Sequence, residues 1–276
     1  MKRVLALAAV AVLVPGAPAQ AAPKDPVRAL EGQFADGRGV KFTDTATLYL
    51  GGNRKVTARR TGAFRFGASG TVAADLTGRL MGSVTDVAMD LPEGSAGLSK
   101  PERVISMGKT SYISGGFVGE FMPEGKTWLK RTNDRLLGIT SGYTQLVNVT
   151  EPKTLKALLA TGKPSRGAHS GEITFGELYR ISPWFRHSLP VKRSPEAVVT
   201  WKLQVGSDGL AQRLTTSYPA TAIGYHVSGL TMRVDTRFTG WGAKVSVKAP
   251  PSGRVTAKLD TSDGDIPTIP LVTETE

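Results

Sequence analysis

The chain of 276 residues contains no cysteine. That excludes disulfides, thiolate metal sites, cysteine nucleophiles and a lipid anchor on a cysteine thiol. Aromatic residues are sparse at 7%, and histidines number three. His169, His187 and His226 stand in unrelated segments, without helical spacing and with no acid pair beside them. A two- or three-histidine metal site therefore has little support, and no cofactor is expected. No apolar run reaches the roughly twenty residues that a membrane-spanning helix needs, so no transmembrane segment is expected.

Catalytic motifs are lacking as well. Gly125-Lys126-Thr127 has the outline of the end of a phosphate-binding loop, but Glu120 stands where that loop needs glycine and Trp128-Leu129-Lys130 reads as a strand where it needs a helix. Ser106 and Lys109 have the Ser-x-x-Lys spacing of penicillin-binding enzymes, yet the flanking Val104-Ile105 and Tyr112-Ile113 read as strands and no Lys-Thr-Gly follows. Gly-x-Ser-x-Gly does not occur. Without a nucleophile beside a base, an exported hydrolase is the least favoured reading, and the expectation is that the protein is not an enzyme. Asn148-Val149-Thr150 has the pattern of a glycosylation acceptor, but Thr150 is better explained as a helix cap.

What is present begins at the N-terminus. Met1-Lys2-Arg3, the apolar run Val4 to Val14, the break at Pro15-Gly16 and the small residues Ala17 to Ala22 have the three-part layout of a secretory signal peptide. Residues 1–21 are thus expected to be removed and the protein secreted, to the extracellular or cell-wall space. Without Lys2 and Arg3, 33 basic residues face 23 acidic ones, and five of the acids lie in 260–276, which has no base. The body then carries about +15, a surplus that favours anionic partners. Lipid headgroups or an anionic envelope surface rank above nucleic acid, which an exported protein rarely meets. Basic clusters at Arg54-Lys55, Arg59-Arg60, Lys126, Lys130-Arg131 and Lys192-Arg193 read mostly as solvated strand faces and loop ends.

Period-two alternation recurs through the chain and predicts a mainly β fold of antiparallel strands. Val199 to Val205 alternates apolar and polar residues, and the Gly206-Ser207-Asp208-Gly209 turn leads into Leu210 to Ser217, which predicts a hairpin. Strands are also predicted at Gly62–Phe66, Val72–Leu76, Glu172–Phe175 and Thr231–Phe238, with a last short one at Val245–Lys248. One helix is predicted between Thr150-Glu151-Pro152 and Gly162-Lys163-Pro164, with Leu155, Leu158 and Leu159 on one stripe. A weaker helical stretch covers Arg135–Ile139. The helical region separates two groups of strands.

Three stretches, in order, resemble the LolA-like, LppX/LprG-type lipoproteins of actinobacteria. They are Ile105–Ile113 with Met122–Lys130, the turn Val205–Leu210, and Phe238–Pro251; the similarity spans about residues 40–255. The resemblance implies a strongly curved antiparallel sheet forming a half-open barrel, with a few helices over its concave face and an apolar cavity for acyl chains. This chain departs from those proteins in lacking the lipid-bearing cysteine. The expected layout is a signal peptide (1–21), a flexible segment (22–38), one β-rich domain (39–259) and a disordered acidic tail (260–276). Phe64, Phe66, Trp128, Leu155, Leu158, Leu159, Phe175, Trp201, Leu203 and Met232 are the candidate cavity lining. The expected function is a monomeric, non-catalytic carrier or sensor of a lipid or other hydrophobic small molecule. The alternative is a secreted envelope-associated domain with a filled core, binding anionic wall polymer or a partner protein.

Overall fold

The computed structural model describes residues 24–81, 95–133, 136–189 and 194–262. The predicted signal peptide, the acidic tail beyond Ser262, Arg135 and the Lys192-Arg193 pair lie outside them. The strands are β1 (Arg38–Leu50), β2 (Asn53–Gly67), β3 (Gly70–Leu80), β4 (Glu102–Met107), β5 (Thr110–Gly115), β6 (Trp128–Thr132), β7 (Lys163–Ser165), β8 (Ala168–Thr174), β9 (Val198–Val205), β10 (Ala211–Pro219), β11 (Thr231–Lys244) and β12 (Val255–Thr256). The helices are α1 (Pro26–Glu31), α2 (Ile139–Gly142), α3 (Pro152–Thr161), α4 (Phe175–Ile181) and α5 (Pro183–Ser188).

The strands form one open, curved sheet in the order β12-β6-β5-β4-β3-β2-β1-β11-β10-β9-β8-β7. All pairings are antiparallel except β12 with β6. The two groups of strands meet where β1 pairs with β11, from Arg38 opposite Lys244 to Tyr49 opposite Thr231. Alternation sets the faces. Phe42, Asp44, Ala46 and Leu48 of β1 point inward with Ala58, Arg60, Phe64 and Phe66 of β2. Lys41, Thr43 and Arg59 point outward and are exposed. Bulges between Ala46 and Thr47 and between Arg65 and Phe66 bend the longest strands. Gly62, opposite Phe42 and Leu76, gives these side chains room, since a Cβ there would lie 2.7 Å from the Phe42 ring.

Helices α2 to α5 cover the concave face, and the buried apolar residues of sheet and helices form one large core. A small second cluster lies on the opposite face, where Val245 and Val247 cover Ala73 and Ile105. Val245–Lys248, predicted as a strand, is instead a stretch outside the sheet. Val245 donates its N–H to Gly37 O, and its side chain packs on the outer face.

The segment expected to be flexible contains α1. Asp25 caps it by accepting from the N–H groups of Val27 and Arg28, Pro26 opens it, and Leu30 is buried. Helix α3 forms as predicted, but Glu151 occupies the cap position rather than Thr150. Asn148 Oδ1 takes both the N–H and the hydroxyl of Thr150. Phe175 leaves the predicted strand because Thr174 accepts from Glu177 N and starts α4. Ser106 lies in β4 and Lys109 in the hairpin turn between β4 and β5, and Trp128 opens a strand after Gly125-Lys126-Thr127.

Candidate functional site

Two inward-facing polar sites underlie the helical cover. In the first, Asp44, Arg60, Gly78 and Glu102 follow one another across β1 to β4 in register. Arg60 is buried, donates Nε to Asp44 Oδ2 at 2.8 Å, and reaches Ser141 Oγ at 3.1 Å and the Gln145 carbonyl at 3.2 Å. Its guanidinium lies between the Phe42 ring (5.5 Å) and the Trp184 ring (5.0 Å). Glu102 accepts from the N–H groups of Ile139 and Thr140 and from the Thr140 hydroxyl. Gln145 bonds Thr216 and Thr236 of the sheet. Burial pushes the Glu102 carboxyl above the usual range, against the pull of the Thr140 and Ile139 hydrogen bonds. This site ties residues 137–150 to the sheet, and its members are closed off from solvent.

The second site opens outward. A cleft of about 540 Å³ lies between the β2–β3 end of the sheet and the starts of α3 and α5. Phe64, Ala74, Leu137 and Trp184 are buried walls, and the more exposed Val72 and Ile181 also line it. Lys153, Arg180, Arg186 and His187 bring basic groups to it. Glu151 fixes its shape: Ser182 Oγ, Trp184 N at 2.8 Å and Thr154 Oγ1 at 2.9 Å all donate to its carboxylate, joining α3 to α5. Burial raises the Glu151 pKa, while those donors and the Arg186 charge oppose the rise. Arg186 is held by the carbonyls of Tyr179 (2.6 Å) and Arg180 (3.4 Å). Ser106 also lines the cleft. No group of three potential metal ligands occurs among the described residues.

Of the ten residues nominated from the sequence, Phe64 lines this cleft. Phe66, Leu155, Leu158, Phe175, Trp201, Leu203 and Met232 are buried in the main core, with Leu159 packed against it. Trp201 is pressed onto Gly162 and Gly171, where an added Cβ would stand 2.5 and 3.0 Å from its ring. Trp128 is on the other face, half-buried against the second cluster and 5.7 Å from the Arg103 guanidinium. Sequence reasoning missed Lys153, Arg180 and Arg186 because they are brought together by the α3–α5 junction rather than by spacing. The inward position of Arg60 was readable, since it shares the parity of Phe64 and Phe66 along β2.

No protein-family model matches the chain, and no curated protein does. Among solved structures it is similar to a LolA superfamily protein from Nitrosomonas europaea, at 8% identity over 82% of this chain and 93% of that one, with a TM-score of 0.29. A DUF1329 family protein from Desulfovibrio piger matches at 9% identity over 78% and 92% of the two chains, with a TM-score of 0.26. At these values neither structure carries a conclusion about what this chain binds. No described helix is long and apolar enough to cross a membrane.

Proposed function

We propose that the protein is a secreted, non-catalytic binding protein that holds one small amphiphile with an anionic head in the cleft between β3 and the α3–α5 junction. The observation that carries this reading is the cleft itself: buried apolar walls beside Lys153, Arg180 and Arg186. Its volume falls within the roughly 300–1,000 Å³ of small-ligand sites, which combine greasy walls with a few orienting polar groups. The LolA-like resemblance of the sequence supports a hydrophobic ligand, and the signal-peptide layout of residues 1–21 supports secretion. The nominated residues other than Phe64 are assigned to packing rather than to ligand contact.

The test is uptake of a fluorescent long-chain fatty acid, together with native mass spectrometry of the protein purified from its host. Val72→Glu and Lys153→Glu alter exposed or partly exposed cleft residues and should each weaken uptake about tenfold or more while leaving the unfolding transition in place. A protein that purifies without ligand and takes up no fatty acid refutes the reading. So does one whose two variants bind as well as the parent.

A further inference from the structure

The outward face of the central strands carries an arrangement that the cleft does not use. Cross-strand register places Lys202, Thr215, Asp235, Thr45, Arg59 and Arg79 in one row over β9, β10, β11, β1, β2 and β3. At about 4.8 Å per strand the row is roughly 24 Å long. Arg233 and Arg237 flank it along β11, and Lys41, Thr43, Thr61 and Thr77 continue the face. Lys41, Arg59, Arg79, Lys202, Arg233 and Arg237 are all exposed. Within these six strands the outward acids are few and engaged: Asp235 pairs with Arg213 and lies 3.8 Å from Arg237, and Asp75 pairs with Arg103 at 2.7 Å.

Among the described residues, Arg59 bonds the Thr45 hydroxyl (3.5 Å) and Arg79 the Ser99 carbonyl (3.2 Å), so neither charge is neutralised. Arg59 and Arg79 are register partners, and like charges directly opposite destabilise a strand pair. Among the described residues no carboxylate bonds either guanidinium to offset that cost. The charge of this face is thus open to a partner.

We infer that this convex face binds a flexible linear phosphate polymer, laid across the strands from Arg79 toward Lys202. Arginine forks and interleaved threonine hydroxyls are the donors that phosphate chains engage. A bilayer fits less well. It would meet only the crest of a curved face, and of the large exposed apolar residues Leu50, Val72 and Val198 only Val198 shares that face, four residues along β9 from Lys202.

The experiment measures binding of the full chain to long-chain inorganic polyphosphate across a salt series. Arg59→Glu/Arg79→Glu/Arg233→Glu is compared with Lys24→Glu/Lys156→Glu/Lys258→Glu, which makes the same change in net charge on exposed positions outside that row. The expected result is salt-sensitive binding, weakened at least tenfold by the first variant and less than threefold by the second. Equal losses in both would mean diffuse attraction to net charge and overturn the assignment. Binding to phosphatidylglycerol vesicles with none to polyphosphate would also overturn it. So would polyphosphate binding seen only in a chain ended at Ser262, which would give the face to the acidic residues 263–276.

Discussion

Removing Arg60 should be the most damaging single truncation of a charged residue in this protein. Its side chain is 1% exposed and that of Asp44 is fully buried. Arg60→Ala leaves the Asp44 carboxylate in the core without its cation, and Asp44 Oδ1 already lacks a partner. Breaking a buried pair in this way costs about 3–5 kcal/mol, and the emptied slot between Phe42 and Trp184 adds to it. For a domain of this size each kcal/mol lowers Tm by about 2–4 °C, so a drop of roughly 10 °C or more is expected. Asp44→Leu/Arg60→Met should recover most of the loss, because replacing both charges with apolar groups is often neutral or better. The groups that Arg60 leaves behind stay satisfied: Ser141 Oγ donates to the Leu137 carbonyl, and the Gln145 carbonyl keeps Trp184 Nε1 at 2.9 Å. Urea unfolding at pH 7, with the m-value checked for constancy, measures both variants. A cost below about 1 kcal/mol for Arg60→Ala, or a double variant as unstable as the single one, would refute the reasoning.

The folded-state pKa of Glu151 is raised, mainly by burial, so its contribution to stability is fully present below the unfolded value near 4.5 and is lost as pH rises through the folded value. Glu151→Gln should flatten that part of the stability–pH profile, since the Thr154 and Ser182 hydroxyls can turn to accept from the amide; an unchanged slope in unfolding free energy between pH 4 and pH 8 would count against this. Glu102→Gln should instead cost about 1–3 kcal/mol at pH 7, because two backbone N–H groups and a hydroxyl share its two oxygens and the new NH₂ must face one of the N–H groups. In thermal melts Trp201→Ala should cost about 3–5 kcal/mol, and Gly62→Ala about 1–3 kcal/mol through its clash with Phe42. Trp128→Ala, on the outer face, should cost clearly less than Trp201→Ala.

Strands with a clean two-residue period were legible in the sequence, namely the β9–β10 hairpin and parts of β2, β3 and β11, because one face of each meets the core and the other meets water. Helix α3 was legible for the same reason at a period near four. The cover at 137–150 was not, since its order comes from Glu102, Arg60 and Gln145 bonding partners far away in sequence rather than from a periodic apolar stripe. Arg59-Arg60 shows how a residue-type reading misleads: as a basic pair it suggests two solvated charges, while strand parity sends one out and the other into the core. Val245–Lys248 has strand-like alternation but no strand beside it to pair with. The cleft was hidden because it belongs to a junction of three distant segments, and an apolar residue reads alike whether it lines a cavity or fills a core.

The pairing of β1 with β11 has a kinetic consequence. β1 is the first strand and β11 the last long one, so the two halves of the sheet join by closing a loop nearly as long as the described chain. Contacts of such high sequence separation slow folding. Until Thr231–Lys244 has emerged, β1 presents a bare hydrogen-bonding edge of the kind that recruits other chains. Folding of the whole sheet is therefore expected to follow completion of the polypeptide rather than its synthesis, and chains truncated before β11 should aggregate instead of yielding a stable half.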